Sequence, residues 1–427
     1  MVARDQSDFV IVGAGAAGLM AARELARAGR RVAVLEARDR CGGRILSLPA
    51  EEFGYPAEGG AEFVHGTAAV TRALMREAGL SLAPTAGEAW RAEDGVLSID
   101  RERMPHAADL RRALRALEAD LPVADFLARH FADPRYQELR RSVTRMVEGY
   151  DAADPGRAST FALRDEWMDR GLGEQGRIAG GYGTLIAFLA ADCRRHGAAI
   201  HLGAAVSAIE AAPRGIAARC RDGRDFGADA AILTVPLPLL TEIALPPAAR
   251  AKAAAGAEIG FGNVVKILLR FKTRWWAGHG GQDLGDLSFL FSSAPVPTWW
   301  TQHPAPDPVL TGWLGGPRAD AVAELDAEAL VERGLASLAR NFALPAERLR
   351  EGLVAARAIN WGHDPFARGA YSYATPKTRE ALSLLGTPAA GVIFSGEALY
   401  DGPEMGTVEA ALASGAETAR TILARLG

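Results

Sequence analysis

The stretch DFVIVGAGAAGLMAARELARAGRRVAVLE, residues 8 to 36, restricts the fold more than any other. Phe9 to Val12 is a short apolar run suited to a buried strand. Gly13, Gly15 and Gly18 follow in the spacing G-x-G-x-x-G, and Leu19 to Ala28 carry the periodicity of a helix. Gly13 permits the tight turn, Gly15 lets a pyrophosphate approach the backbone, and Gly18 lets helix and strand pack closely, so that phosphates meet the positive end of the helix. Glu36 ends the next apolar run, RVAVLE. A carboxylate there accepts hydrogen bonds from ribose hydroxyls and repels a 2′-phosphate, which favours FAD or NAD over NADP.

With 427 residues the chain exceeds the size at which one core keeps growing, so two domains are expected. A net charge of −4 offers no general attraction to nucleic acid or to an acidic membrane. Cys41, Cys193 and Cys220 are odd in number and scattered, with neither C-x-x-C spacing nor a disulfide framework, which suits a reducing cytoplasm. Asp5 and Asp8 precede the first apolar run while Arg23 and Glu24 interrupt the next, so the N-terminal region reads as strand and helix rather than signal peptide. No other run is long and apolar enough to span a bilayer, and no membrane anchor is expected.

Two later segments return the chain to an α/β unit. GAAIHLGAAVSAIE with GRDFGADAAILTVPLPLL reads as short strands and turns, and AAGVIFSGEALYDGPEMGTVEAALASGAETARTILARL as strand, Gly/Pro-rich loop and helix. The expected architecture is α/β: a Rossmann-like dinucleotide domain from residues 1–66, 175–245 and 386–427, and an α+β substrate-binding domain from 67–174 and 246–385. TRWWAGHGGQDLGDLS and APVPTWWTQHPAPDPV are turn-rich and read as loops or edge hairpins. No metal-ligand spacing, G-x-S-x-G or catalytic Cys/His arrangement is present.

Several motifs together resemble the flavin-containing amine oxidases, the family of monoamine oxidases, polyamine oxidases and lysine-specific histone demethylases, and the resemblance runs almost end to end. After the fingerprint, EARDRCGGRI resembles the element beside the flavin and pyrophosphate, with Arg38, Gly43 and Arg44 as its contacts. GGAEFVHG, with Gly60, Ala61 and His65, resembles the loop under the isoalloxazine ring. Val206 resembles the valine at the adenine. FSGEAL and GTVEAALASG, with Glu397, Thr407 and Val408, resemble the ribityl and flavin-edge elements. GFGNVVKILLRF resembles the strand carrying the active-site lysine, here Lys266, and WGHDPFARGAYSY the segment of aromatic walls, here Trp361 and Tyr371. The resemblance implies FAD, an amine and O2 as substrates, H2O2 as product, and an electron path of hydride transfer from the amine's α-carbon to the flavin. Two departures matter. Ala370 stands where monoamine oxidases attach flavin through cysteine, so FAD is expected without a covalent bond. Thr407 stands in place of a second cage tyrosine, as in the demethylases.

Read residue by residue, alternation places Lys266 on one strand face with Val264 and Leu268, and Val265, Ile267 and Leu269 on the other. Such a lysine is either an edge-strand guard against aggregation or, as the resemblance implies, bridged by water to flavin N5 to assist reaction with O2. Thr407 fits a plain helix N-cap and also a helix end aimed at the flavin. Trp361 and Tyr371 fit core aromatics as well as a substrate wall. His65 is equally an ordinary loop histidine or a site residue. Glu148, Asp151, Asp154, Asp165 and Glu166 offer carboxylates for distal ammonium groups, or simply a solvated helix face. The expected activity is therefore oxidation of a polyamine or other alkylamine. Aromatic monoamines, L-amino acids, a flavin-dependent desaturase and a flavin-holding scaffold are the alternatives, and no chromatin or nucleic-acid role is expected.

Overall fold

A computed structural model describes residues 7–100, 104–169, 175–402 and 404–426. The fingerprint builds the centre of a seven-stranded sheet. The strand Ser7–Val12 is parallel to Val32–Leu35 on one side and to Asp225–Leu233 on the other. Ala199–His201 extends the sheet beyond Val32–Leu35, Val392–Phe394 adds a further parallel strand to Asp225–Leu233, and the antiparallel ribbons Ile216–Cys220 and Val206–Ala211 complete it. The helices Ala16–Arg27, Tyr182–Arg195 and Val408–Leu426 cover one face, burying Leu19, Leu25, Leu185, Leu189 and Leu412 against Ile11 and Val34. Leu74 and Met75, from the helix Ala69–Glu77, pack into the same core. The parallel strands end together at Val12, Leu35, Leu233 and Phe394, so the loops leaving them converge at one edge, where open α/β sheets bind ligands.

A second seven-stranded sheet has the order Leu353–Asn360, Val264–Phe271, Val309–Gly315, Thr298–Trp300, Leu287–Ser292, Glu88–Glu93, Val96–Ile99. Successive side chains point to opposite faces, and the central strands Val264–Phe271 and Val309–Gly315 are buried on both. Val265, Ile267, Leu269, Leu290 and Trp299 face a core shared with the helix Ala327–Asn341, while Lys266, Phe289, Trp300 and Trp313 lie on the opposite face, which lines a cavity. Thr298–Trp300 corrects the sequence reading of a loop or edge hairpin, because it is paired on both sides. Its prolines lie outside the three paired residues, at 295, 297 and 304, so they delimit the strand without removing a ladder donor. Helices Ala107–Arg115, Val123–His130, Gln137–Gly149 and Thr160–Asp169 form a separate cluster around Leu114, Phe126, Leu139 and Val143.

Candidate active site

One continuous cavity of about 2580 Å³ runs from the glycine turn, along the second sheet, to the helical cluster. At its inner end Gly13 has φ +107° and Gly15 has no atom within 4 Å of where a Cβ would stand, which leaves the backbone open to a ligand. Helix Ala16–Arg27 begins there without a side-chain cap, so its first amides keep their hydrogen-bonding capacity. Gly18 does not line the cavity. Its Cβ would lie 2.0 Å from the Gly13 carbonyl oxygen, so its role is the close approach of helix to turn. Glu36 is buried and accepts from the amides of Ala14 (2.7 Å) and Arg38 (2.9 Å), which ties the two loops together. Arg38 is clamped by Asp364 (2.6 and 3.0 Å). The Arg40 guanidinium, unremarked in the sequence, donates to the carbonyls of Gly43 and Ile45 and fixes the turn carrying Arg44.

Arg44 donates to the Ala370 carbonyl and to Glu397 Oε1, both at 2.7 Å, and Ser372 also donates to Oε1 at 3.1 Å. Among the described residues the buried Glu397 Oε2 has no hydrogen-bond partner, and Glu397 lines the cavity. Thr407 Oγ1 accepts from the Ala410 amide at 3.1 Å and so caps the helix Val408–Leu426. Gly13, Gly15, Glu36, Arg38, Gly43, Arg44, Gly60, Ala61, His65, Val206, Lys266, Trp361, Tyr371, Glu397, Thr407 and Val408 all line this one cavity.

On the substrate side Lys266 is only 1% exposed, on a strand paired along both edges. The edge-strand alternative therefore does not hold. Its Nζ donates to Glu62 Oε2 at 2.8 Å and to the Gly60 carbonyl at 3.1 Å, and lies 5.3 Å from the Trp300 ring centroid. Glu62 Oε1 accepts from Arg177 Nε (2.8 Å), Trp300 Nε1 (3.0 Å) and Gln302 Nε2 (3.2 Å). Burial alone would raise this carboxyl, but Lys266 and Arg177 outweigh it and hold Glu62 at about 2. Trp361 is buried and donates from Nε1 to the Gly59 carbonyl at 3.1 Å, and the Tyr371 hydroxyl donates to the Tyr150 carbonyl at 2.7 Å. Trp361 and Tyr371 both line the cavity, and Trp361 also packs in a small apolar cluster with Ala152, Val264, Ala367 and Ala370. His65 lies beside Tyr150, with ring centroids 5.7 Å apart, and burial pushes it down to about 4.

The five sequence-nominated carboxylates part company here. Glu148 pairs with Arg318 at 3.0 Å and Asp154 accepts from the Gly156 amide at 2.8 Å; neither lines the cavity. Asp165 lines it but is exposed and paired with Arg164. Asp151 and Glu166 line it together. Burial, then the neighbouring Glu166 charge, raises Asp151 well above the usual carboxylate range, and burial with the Asp151 charge does the same to Tyr371.

Residues 16–423 match the family model of the flavin containing amine oxidoreductases. The chain belongs to this family. It is an FAD-dependent amine oxidase, with the fold to match. A protein named "Probable polyamine oxidase 4" from Arabidopsis thaliana is 28% identical, over 99% of this chain and 89% of its own. Putrescine oxidase bound to putrescine superposes with a TM-score of 0.78 at 24% identity, covering 98% of this chain and 99% of that one. Cyclohexylamine oxidase from Brevibacterium oxydans IH-35A gives 0.79 at 21%, covering 99% of each. The cradle of the oxidase fits FAD on its own chemistry: open glycine backbone and free helix amides suit a pyrophosphate, and the unpartnered Glu397 Oε2 suits a hydroxyl donor. None of the three cysteines lines the cavity, in keeping with a cofactor held without a covalent bond. Among the described residues of the oxidase no helix is long and apolar enough to cross a membrane, and no cluster of metal-ligating side chains occurs.

Sequence reasoning overlooked Glu62, Arg177, Trp300 and Gln302. Glu62 sat inside a motif already singled out, GGAEFVHG, but its partners lie on three separate segments. The one available signal was a lysine in an apolar strand, which must find a carboxylate somewhere.

Proposed function

We propose that this amine oxidase acts on a polyamine or another alkylamine bearing a second ammonium group, with O2 as acceptor. The observation that carries the reading is the Asp151–Glu166 pair, which places two carboxyls on the cavity wall beside Tyr371. FAD, which the glycine turn at Gly13 and Gly15, Arg44 and Glu397 would hold, would supply the hydride acceptor for oxidation of the amine to an imine and the means of reducing O2 to H2O2; hydrolysis of the imine would give aldehyde and amine.

The chain's own residues bind, orient and dry the substrate. Trp361 and Tyr371, each fixed by a hydrogen bond to backbone, offer π faces to the reacting amine. Thr407 leaves more room at the flavin edge than a second tyrosine would, which suits a long or secondary amine. His65, neutral above about pH 4, adds no positive charge to the route of a cationic substrate. Asp151 and Glu166 hold the distal ammonium, and Lys266 presents a buried donor at the opposite wall. The putrescine bound by the neighbouring oxidase is a substrate of this kind. The second reading is an aromatic monoamine, favoured by the rings of Phe63, Phe289 and Trp300 around the chamber.

A peroxide-coupled screen of spermine, spermidine, putrescine, acetylated polyamines, tyramine and L-amino acids tests the reading. Turnover highest on the amines with a second cationic group is expected. Strong turnover confined to tyramine or to amino acids sinks it.

A further inference from the structure

We infer that Glu62 is the positioning residue for Lys266: its carboxylate, anchored by Arg177, Trp300 and Gln302, sets where the lysine Nζ stands on the cavity wall. The inference rests on the reading that Lys266 assists the reaction of the reduced cofactor with O2.

The geometry leaves Nζ little freedom of its own. A lysine on the strand Val264–Phe271 carries a flexible stem, and among the described residues two protein acceptors meet its head, Glu62 Oε2 and the Gly60 carbonyl. Both belong to the same loop, so the lysine bolts residues 60–62 to the sheet. Glu62 is in turn immobile. Arg177 reaches it from the strand Gln175–Ile178, and Trp300 from the inner strand Thr298–Trp300, so a third and a fourth segment of the chain converge on one carboxylate. A surface ion pair would pay for such ordering with little net gain, but here both side chains are almost wholly removed from water, at 1% and 6% exposure. The hub also decides which acids are left for substrate: every strong donor around Glu62 belongs to the protein, so this carboxylate is not an ammonium site even though it lines the chamber.

A structural ion pair and a positioning pair differ in what they move. The first readout needs no cofactor. In the apoprotein, acetylation of Lys266 by acetic anhydride is followed by peptide mass spectrometry, with the exposed Lys272 and Lys377 as internal references. Glu62→Gln should raise Lys266 labelling about tenfold relative to them. Glu62→Asp keeps the charge but withdraws it by one methylene and should give part of that rise. Arg177→Gln removes one anchor of the same carboxylate but keeps the lysine's partner, and should give a rise smaller than that of Glu62→Gln.

The second readout separates the half-reactions of the holoenzyme by stopped flow. Glu62→Gln should leave reduction by amine within about twofold and slow reoxidation by O2 to about the level of Lys266→Met, and the double variant should be no slower than Lys266→Met alone. If Lys266→Met itself reoxidises at the wild-type rate, the role of the lysine is wrong and the inference falls with it. If Lys266→Met is slow but Glu62→Gln is not, or if Lys266 labelling is unmoved in both Glu62 variants, the lysine's role stands and Glu62 is only part of the scaffold. Should Glu62→Gln fail to fold, the same comparisons made on Glu62→Asp decide the question.

Discussion

Asp151 and Glu166 crowd two carboxyls into one part of the chamber, and the raised Asp151 follows from burial together with the charge of Glu166. On the proposed reading, a substrate ammonium bound there would favour ionisation of the pair and bring the raised Asp151 back toward the usual carboxylate range. Asp151→Asn is therefore expected to raise KM for a diamine about tenfold while kcat stays within about twofold, and to leave a monoamine of equal length nearly unaffected. Equal losses on both amines in steady-state kinetics would remove Asp151 from the distal site. The sequence nominated Asp151 and Glu166 but gave no means to separate them from Glu148 and Asp154. What separates them is tertiary: Glu148, in the last turn of the helix Gln137–Gly149, turns to Arg318 and Asp154 to the Gly156 amide, while Asp151, just beyond that helix, meets Glu166 of the helix Thr160–Asp169 at the cavity wall. Lys266 was legible because a charge inside an apolar strand breaks a local pattern. Glu62 was not, since its partners include Arg177 and Gln302, far along the chain, and no spacing rule links them.

The glycine turn, its helix and the strands on either side were readable at the level of elements because each rests on local chemistry: spacing, period and cap. Gly18 shows how tightly these elements meet. Its Cβ would lie 2.0 Å from the Gly13 carbonyl oxygen and 2.8 Å from Thr234 Oγ1, both of which are held by the end of the parallel sheet. Gly18→Ala must push the helix off the turn, at a cost of about 1–3 kcal/mol and with loss of most bound flavin. Gly227→Ala, in a strand with its nearest neighbour 4.0 Å away, serves as control and should stay within about 0.5 kcal/mol. Thermal unfolding and flavin content of the two proteins check this, and a yellow, undisturbed Gly18→Ala protein would refute it. The Thr298–Trp300 strand was misread because three residues between prolines carry too little pattern. Its assignment comes from the ladders on both sides, which are tertiary.

For the molecule as a whole, two buried groups pull stability in opposite directions with pH. Burial raises Glu58 to about 7 although Ser47 and the Tyr182 amide donate to it, so the folded state holds that proton more tightly than the unfolded chain does. Its contribution is complete below about pH 4.5 and is lost as pH rises through about 7. Burial lowers His65 to about 4, so its contribution is complete above about pH 6.5 and is lost as pH falls through about 4. In the window they share the two slopes oppose each other. Glu58→Gln removes the first, and the variant should gain on the order of 2 kcal/mol relative to the wild type between about pH 5 and about pH 7, read from melting curves. A constant difference across that window would show that Glu58 does not titrate there. Cofactor removal acts on the same scale: on the proposed contacts FAD would bridge segments that only the fold brings together, and the apoprotein should lose the stability RT ln(1 + L/Kd), with L the free FAD concentration, that the cofactor adds, with a lower melting temperature. The cradle also has an order of manufacture. Gly13 and Gly15 are made early, but Glu397 and the cap Thr407 come near the end. At about 5–20 residues per second a ribosome reaches them roughly 20–80 seconds after the glycine turn. On the proposed cofactor contacts, a nascent chain in that interval has the glycine turn but not yet Glu397 or Thr407. Stable loading with FAD is therefore expected only once synthesis has passed Thr407, and chains released before that residue should not retain flavin.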